Sequence, residues 1–350
     1  MLKRVTLKEV AARASVSYQT VSKVINHKAH VSEETEERIY AAIREMGYTP
    51  SYTARSLRSQ RSNTIGYSWQ PSRPDQANPI LDEFLQSMFR AAEASGYYLL
   101  CFPYHSEIST QLDTYRDLID TGRVDGFILS VVNYDDPCVD FLLKRKFPFV
   151  AFGHLDNLSA FPNIDVDGGK GLHMAVDHLL SLGHRRIAAL AWPADSRVGN
   201  NRMDGYFSAL QDAGIDVPAE WVQRGEGSYD VGYRHTLKLL SLPVLIRPTA
   251  VVAMNDLMAI GAMAAIRQKG LRPGIDIGVT GFDDTPTARY LNPPLTSLRQ
   301  PVSSIGQNLM ERLISYLESG VYPEPIGELV APQLVIRGSS TGIETGQPST

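Results

Sequence analysis

Two cysteines in 350 residues, Cys101 and Cys138, exclude a disulfide framework and carry no metal-ligand spacing. Each is expected as a buried thiol acting as a small hydrophobe. No run approaches the ~18 uninterrupted apolar residues of a membrane span. Residues 1–25 are polar where a secretion signal needs an apolar stretch, so the chain is expected to be soluble and cytoplasmic. Low hydrophobicity combined with high net charge is also missing: 43% of residues are hydrophobic and the formal charge is −4, which excludes wholesale disorder. Catalytic signals are equally sparse. The run Gly168-Gly169-Lys170-Gly171 lacks P-loop spacing, and His173 and His178, five apart, miss the shared helix face a metal would use. Asp283 and Asp284 are adjacent and cannot both point into one site. Neither an enzyme nor a cofactor or metal site is expected.

What is present is a partition of charge. Residues 1–61 hold eleven Lys/Arg against six Asp/Glu, whereas residues 62–350 hold 23 against 32. A small basic module that seeks a polyanion, joined to an acidic body that does not, accounts for this asymmetry. The basic module reads as helices. Thr6 and Glu9 have the spacing of a capping box, and Leu7, Val10, Ala11 and Ala14 then share one face. A turn at Ser15–Val16 leads to Ser17 as a second N-cap and to a helix whose Val21, Val24 and Ile25 face inward. Two short helices joined by so brief a turn predict a helix-turn-helix. A third helix is expected from Ser32, with Ile39, Ile43 and Met46 as its stripe and Gly47 as its stop. With the valines inward, Tyr18, Gln19, Ser22 and Lys23 form an exposed polar face. Gln can donate and accept on a base edge, and Lys can reach guanine acceptors or a phosphate.

The run VTLKEVAARASVSYQTVSKVIN, Val5 to Asn26, resembles the DNA-binding head of the LacI/GalR family of bacterial transcription regulators. The resemblance implies that Tyr18, Gln19 and Lys23 read bases in the major groove, while Thr6, Ser17, Ser22 and Asn26 contact phosphates. Between head and body lies TPSYTARSLRSQRSNTIG, Thr49 to Gly66, polar and basic. Read alone it is a linker with one helical turn around Ala54 to Arg58. The resemblance implies a hinge helix that orders on the operator, with Ala54 and Leu57 at the minor groove and Leu57 wedged into a base step.

From Ile65 onward, short apolar runs alternate with helical segments. The expected strands are Ile65–Trp69, Tyr97–Phe102, Gly126–Val131 and Phe149–Phe152, then a second series of Ile164–Val166, Ile187–Ala191, Val222–Arg224, Ala250–Ala253 and Ile277–Phe282. Two such series predict two α/β lobes with parallel sheets. Ligands in such sheets sit beyond the carboxyl ends of the strands. The residues there include Trp69, Ser130, His154, Trp192, Asn255 and Asp283, with Arg202 on the helix after Trp192; Asp256 is expected to cap its helix. Polar side chains that pair with hydroxyls, beside Trp faces, suit a sugar.

IDVDGGKG (164–171), LGHRRIA (182–188), NRMDGY (201–206), AMNDLMAIGAM (253–263) and GVTGFDDTPTARYLNPPLTSLRQP (278–301) also resemble the family. The resemblance implies a periplasmic-binding-protein-like core whose chain crosses between lobes three times, and effector contact by Arg202, Asn255, Asp283 and, at a crossing, Gln300. The expected division is an all-α helix-turn-helix head (1–48), a hinge (49–63), a core (64–340) and a tail (341–350). Lobe one would hold about 64–162 and 295–323, and lobe two about 163–294 and 324–340. The expected function is a homodimeric repressor of carbohydrate-use genes that reads a near-palindromic double-stranded operator under a sugar effector. The alternative is an activator, or a regulator answering to a nucleobase or phosphorylated co-regulator.

Overall fold

The computed structural model describes residues 5–25, 31–48, 61–70, 78–130 and 132–341. Residues 1–62 and 63–350 form two separate compact units.

In the head, the Thr6–Glu9 capping box forms as expected. Thr6 N–H donates to Glu9 Oε2 at 2.7 Å and Glu9 N–H donates back to Thr6 Oγ1 at 3.4 Å, which satisfies two orphan donors at the start of α1 (Leu7–Ala14). Ser17 Oγ accepts from Thr20 N–H at 3.0 Å and begins α2 (Tyr18–Ile25). α3 (Glu33–Met46) ends at Gly47, whose φ of 61° is the left-handed stop that glycine adopts without strain. Val10, Ala11, Ala14, Val21, Val24, Ile39 and Ala42 close one small core.

The body is two α/β lobes. Lobe one has strands β1 (Thr64–Trp69), β2 (Tyr98–Pro103), β3 (Gly126–Leu129), β4 (Phe149–Phe152), β5 (Asn163–Val166) and β11 (Gly327–Val330), in the order β11-β5-β4-β3-β1-β2, all parallel. Lobe two has β6 (Ile187–Ala191), β7 (Val222–Arg224), β8 (Ala250–Ala253), β9 (Gly278–Asp283), β10 (Thr296–Arg299) and β12 (Gln333–Val335), in the order β12-β10-β9-β8-β6-β7. Its pairs are parallel except β10 with β12. The helices around lobe one are α4 (Pro79–Ala94), α5 (Ile108–Asp120), α6 (Pro137–Arg145) and α11 (Val302–Ser319); those around lobe two are α7 (Gly168–Ser181), α8 (Arg197–Asp212), α9 (Tyr229–Leu240), α10 (Asp256–Gln268) and the short α12 (Gly338–Thr341). Central strands are buried on both faces, so they read as unbroken apolar runs such as Ile187–Ala191. No helix among the described residues is long and apolar enough to cross a membrane.

Three expectations about the lobes are corrected. Asn163–Val166 belongs to lobe one, because Ala151 pairs with Asn163 and Phe152 with Ile164, so the first crossing falls after Val166. Thr296–Arg299 belongs to lobe two, in register with Thr280–Asp283, so the chain returns to lobe one only at Gln300–Pro301. Gly327–Val330 pairs with Asn163–Val166, so only Gln333–Val335 closes lobe two. The first of these assignments follows the order of strands along the chain and the other two follow the resemblance; in each case the pairing partners are distant in sequence. The expected burial of Cys101 also fails: β2 is an edge strand with one side open, and Cys101 lies exposed on it, while Cys138 is half-buried.

Candidate functional site

The head presents one candidate surface. With Val21 and Val24 buried, helical geometry turns the rest of α2 outward: Tyr18, Gln19 and Lys23 are exposed and Ser22 half-buried. Thr6 and Ser17, at the starts of the two helices, are exposed beside their caps. Asn26, Ala54 and Leu57 lie outside the described residues.

In the body a cavity of about 360 Å³ lies between the lobes, at the carboxyl ends of both sheets. Ser130, Trp192, Arg202, Asn255, Asp283 and Gln300 line it. Six of the eight body residues singled out in the sequence thus meet. The other two do not. Trp69, at the open end of β1, is 36% exposed and lines no part of the cavity. His154 stands behind the wall with its Nδ1 2.8 Å from Asp165 Oδ2, and Asp165 is the residue that reaches the cavity.

Lobe two supplies the polar groups. Arg202 is 4% exposed; its guanidinium stacks 4.7 Å from the Trp192 ring centroid and 3.6 Å from that of Phe282, and Nη1 donates to the Met254 carbonyl. Burial pushes this guanidinium down to about 10, against the pull of Asp283 and Asp165. Burial pushes the Asp283 carboxyl the other way, up to about 8, although Arg202 opposes it. The two charges form no direct ion pair within 4 Å; Gln300 Nε2 donates to Asp283 Oδ1 at 2.6 Å instead. Asp283 also has φ of 116°, a strained backbone for a residue with a Cβ, of the kind that clusters at ligand clamps. Asn255 caps α10, with Oδ1 accepting from Met258 N–H at 2.9 Å and Nδ2 donating to the Gly227 carbonyl at 2.8 Å. A Cβ on Gly227 would stand 2.7 Å from Asn255 Nδ2 and 2.8 Å from Trp192 Nε1, so only glycine admits both.

Two buried donors on residues that line this cavity, Trp192 Nε1 and Arg202 Nε, have no hydrogen-bond partner among the described residues. An orphaned buried donor forfeits about 1–3 kcal/mol until something accepts from it.

Some residues were not foreseen. Arg197, 6% exposed at the first turn of α8 in lobe two, directs its side-chain hydrogen bonds to lobe one. Nη2 donates to Asp165 Oδ2 at 2.9 Å and Nε to the Val132 carbonyl at 3.3 Å, while Nη1 lies 3.4 Å from His154 Nε2. This clasp spans the cleft. Asp256 corrects an expectation, because the cap of α10 is Asn255. Asp256 accepts from Thr285 N–H at 2.7 Å and from Ser297 Oγ at 2.5 Å, and burial raises its pKa to about 6. Gly338-Ser339-Ser340-Thr341-Gly342 has the letter spacing of a nucleophile elbow, and Ser340 Oγ lies 2.8 Å from His178 Nε2. Ser340 is 3% exposed and hydrogen-bonded to Thr296 Oγ1, and it does not line the cavity; its role is to tie α12 to the sheet.

A helix-turn-helix with an exposed polar face, followed by two like-ordered α/β lobes around a cavity, defines a DNA-binding regulator with a ligand-binding core. Known proteins agree. Residues 6–51 match the family described as "Bacterial regulatory proteins, lacI family", and residues 176–340 a periplasmic binding protein-like domain. The chain is 34% identical over 340 residues to the HTH-type transcriptional repressor PurR of Escherichia coli O139:H28, covering 95% of this chain and 96% of that one. Among solved structures, a Lac repressor dimer bound to operator and the anti-inducer ONPF superposes with a TM-score of 0.85 at 31% identity, over 97% of this chain and all of the other. A regulatory protein of the LacI family from Chloroflexus aggregans is 50% identical, with a TM-score of 0.76, over 80% of this chain and 99% of its own. The chain belongs to the lacI family of bacterial regulatory proteins, the DNA-binding transcription regulators.

Proposed function

We propose that this protein is a dimeric repressor whose operator affinity is set by a sugar bound between the lobes. The observation that carries the effector site is that Trp192, Arg202, Asn255 and Asp283 line one cavity between the lobes. A hydroxyl can accept from a guanidinium or amide and donate to a carboxyl oxygen, so neighbouring hydroxyls of a pyranose suit this set of side chains, with an aromatic face beside them. Complexes of relatives support a sugar: the CelR regulator with cellobiose is 30% identical to this chain, with a TM-score of 0.71 over 96% of this chain and all of that one. A second reading has its own support in Phe152, whose ring borders the cavity opposite Trp192 and would stack on a flat nucleobase.

On DNA, Tyr18, Gln19 and Lys23 read bases, and Thr6, Ser17, Ser22 and Asn26 hold phosphates. Ala54 and Leu57 engage the minor groove. One head offers few base contacts, so two read the half-sites of a near-palindrome. Gln19→Ala is expected to relax preference at one position per half-site by about 1–3 kcal/mol.

A thermal-shift screen of the full chain against sugars and nucleobases tests the effector. A ligand at 100 times its dissociation constant stabilises by about 2.7 kcal/mol, and Arg202→Ala is expected to abolish that shift. A shift that survives in Arg202→Ala would place the effector elsewhere.

A further inference from the structure

The lobes are tied together by contacts that the chain makes with itself, and we infer that these keep the cleft shut without a ligand, so that an effector enters only when they part. The clasp extends beyond the Arg197–Asp165 pair. Arg197 uses its backbone as well as its side chain: its N–H, one of the donors that the start of a helix leaves without a partner, donates to Asn133 Oδ1 at 3.1 Å. Asn200, one turn on, donates from Nδ2 to Tyr134 Oη at 3.3 Å. With the guanidinium contacts to Asp165, His154 and the Val132 carbonyl, these tie the first turn of α8 to β5 and to the loops after β3 and β4.

Each half of the clasp is held in position from within its own lobe. In lobe two, Ser196 caps α8 by accepting from Gly199 N–H at 3.1 Å, and Arg224 Nη1 donates to Asn200 Oδ1 at 3.2 Å and to the Trp192 carbonyl at 3.0 Å. In lobe one, Asp136 accepts from Asn133 N–H at 3.4 Å while it caps α6, and Asp165 Oδ1 accepts from Val166 N–H at 2.8 Å. Gly153, beside His154, has φ of 131°, and a Cβ there would stand 3.1 Å from Val132 Cβ, so glycine lets the loop lie against this strand end. Surfaces fixed in advance lose little conformational entropy when they meet. The clasp is also the seam of the cavity: Val132 and Asp165 line it from lobe one, and Ser196 and Val198, on either side of Arg197, line it from lobe two. A ligand shifts an equilibrium between open and shut forms only by its different affinity for the two. Where the shut form is already favoured, an effector loses no binding energy to closing the lobes, and its entry waits on the clasp. The part given to the effector rests on the cleft as its site; the clasp itself does not.

Thiol labelling of the full chain without any ligand tests the clasp, whatever the effector proves to be. Leu257, half-buried in the cavity wall on α10 and on a different helix from the clasp, is made the reporter as Leu257→Cys, with Cys101→Ser and Cys138→Ser removing the native thiols. The probe is dithiobis-nitrobenzoate. With the clasp intact the reporter is expected to react at least tenfold more slowly than glutathione. Adding Arg197→Ala is expected to speed labelling at least tenfold. The double variant Asn133→Ala with Tyr134→Phe, at exposed loop positions that leave no buried charge behind, is expected to speed it about threefold and serves if Arg197→Ala melts early. Ala262→Cys, buried in the core of lobe two and outside the cavity wall, is expected to stay unlabelled in every folded variant, which separates parting of the lobes from unfolding. A reporter that reacts as fast as glutathione with the clasp intact overturns the inference, as do unchanged rates in the folded clasp variants. Labelling of Ala262→Cys that rises in step with that of Leu257→Cys assigns the effect to unfolding and overturns it too.

Discussion

The two lobes share a strand order and furnish the cleft unequally. Lobe two contributes Arg202, Asn255 and Asp283, each fixed from within that lobe by stacking, by a helix cap or by a strained backbone. Lobe one contributes Ser130, Val132 and Phe152, and its one charged wall residue, Asp165, is already held by Arg197. One lobe carries preset recognition and the other a mostly neutral lid clasped to it. Grip and closure are thus assigned to different halves of one fold, and each can be broken separately.

The largest effect is expected from the clasp. Arg197→Ala leaves the buried Asp165 with His154 but without its guanidinium, and breaking a buried pair costs up to about 3–5 kcal/mol. Chemical denaturation of the full chain is expected to show that loss; if stability is unchanged, the clasp does not hold the lobes. Next is the grip. Arg202→Ala removes a charge-assisted contact of about 1.5–3 kcal/mol from the effector and Asp283→Asn a hydrogen bond of about 0.5–1.5 kcal/mol, with operator affinity in the absence of effector nearly unchanged, which gives a non-inducible regulator. Calorimetry beside a DNA-binding titration checks both halves. On the lid, Phe152→Leu keeps an apolar wall but loses ring stacking, and about 1 kcal/mol of effector affinity is expected to go. A loss as large as that of Arg202→Ala would erase the distinction between lobes.

The subtlest expected effect is a slope. Unfolded, Asp283 titrates near 3.8; folded, near 8. The native state therefore binds the extra proton between these values, so the stability this group contributes is full below pH 4 and lost as pH rises through 8. Asp283→Asn cannot titrate, and denaturation between pH 4 and 8 is expected to give a flatter profile than the parent. Equal slopes would show that Arg202 holds Asp283 ionised throughout.

The head was legible because its signals are local. Thr6 with Glu9, Ser17 with Thr20, and Gly47 with the helix before it all act within a few residues. Most of the cleft was legible too, since the ends of parallel strands point to one edge, which is how Ser130, Asn255 and Asp283 were found together. What escaped depends on distance along the chain. Arg197 meets Asp165 across 32 residues and Val132 across 65, and no spacing rule reaches that far. His154 also follows a strand, but its ring is committed to Asp165 behind the cavity wall. The short strands Asn163–Val166, Thr296–Arg299 and Gly327–Val330 took their lobe from pairing, which periodicity does not register.

The three crossings all leave or enter through β5, β10, β11 and β12, which stand together at one end of each sheet. The opposite ends, β2 and β7, are joined by no connection. The body is therefore bound like a book, with its spine along the crossings. Any parting of the lobes that leaves those strands unstretched turns about the spine, so displacement grows with distance from it. A ligand or a clasp near the spine has little leverage over the covers. One placed toward the open edge governs how far they swing.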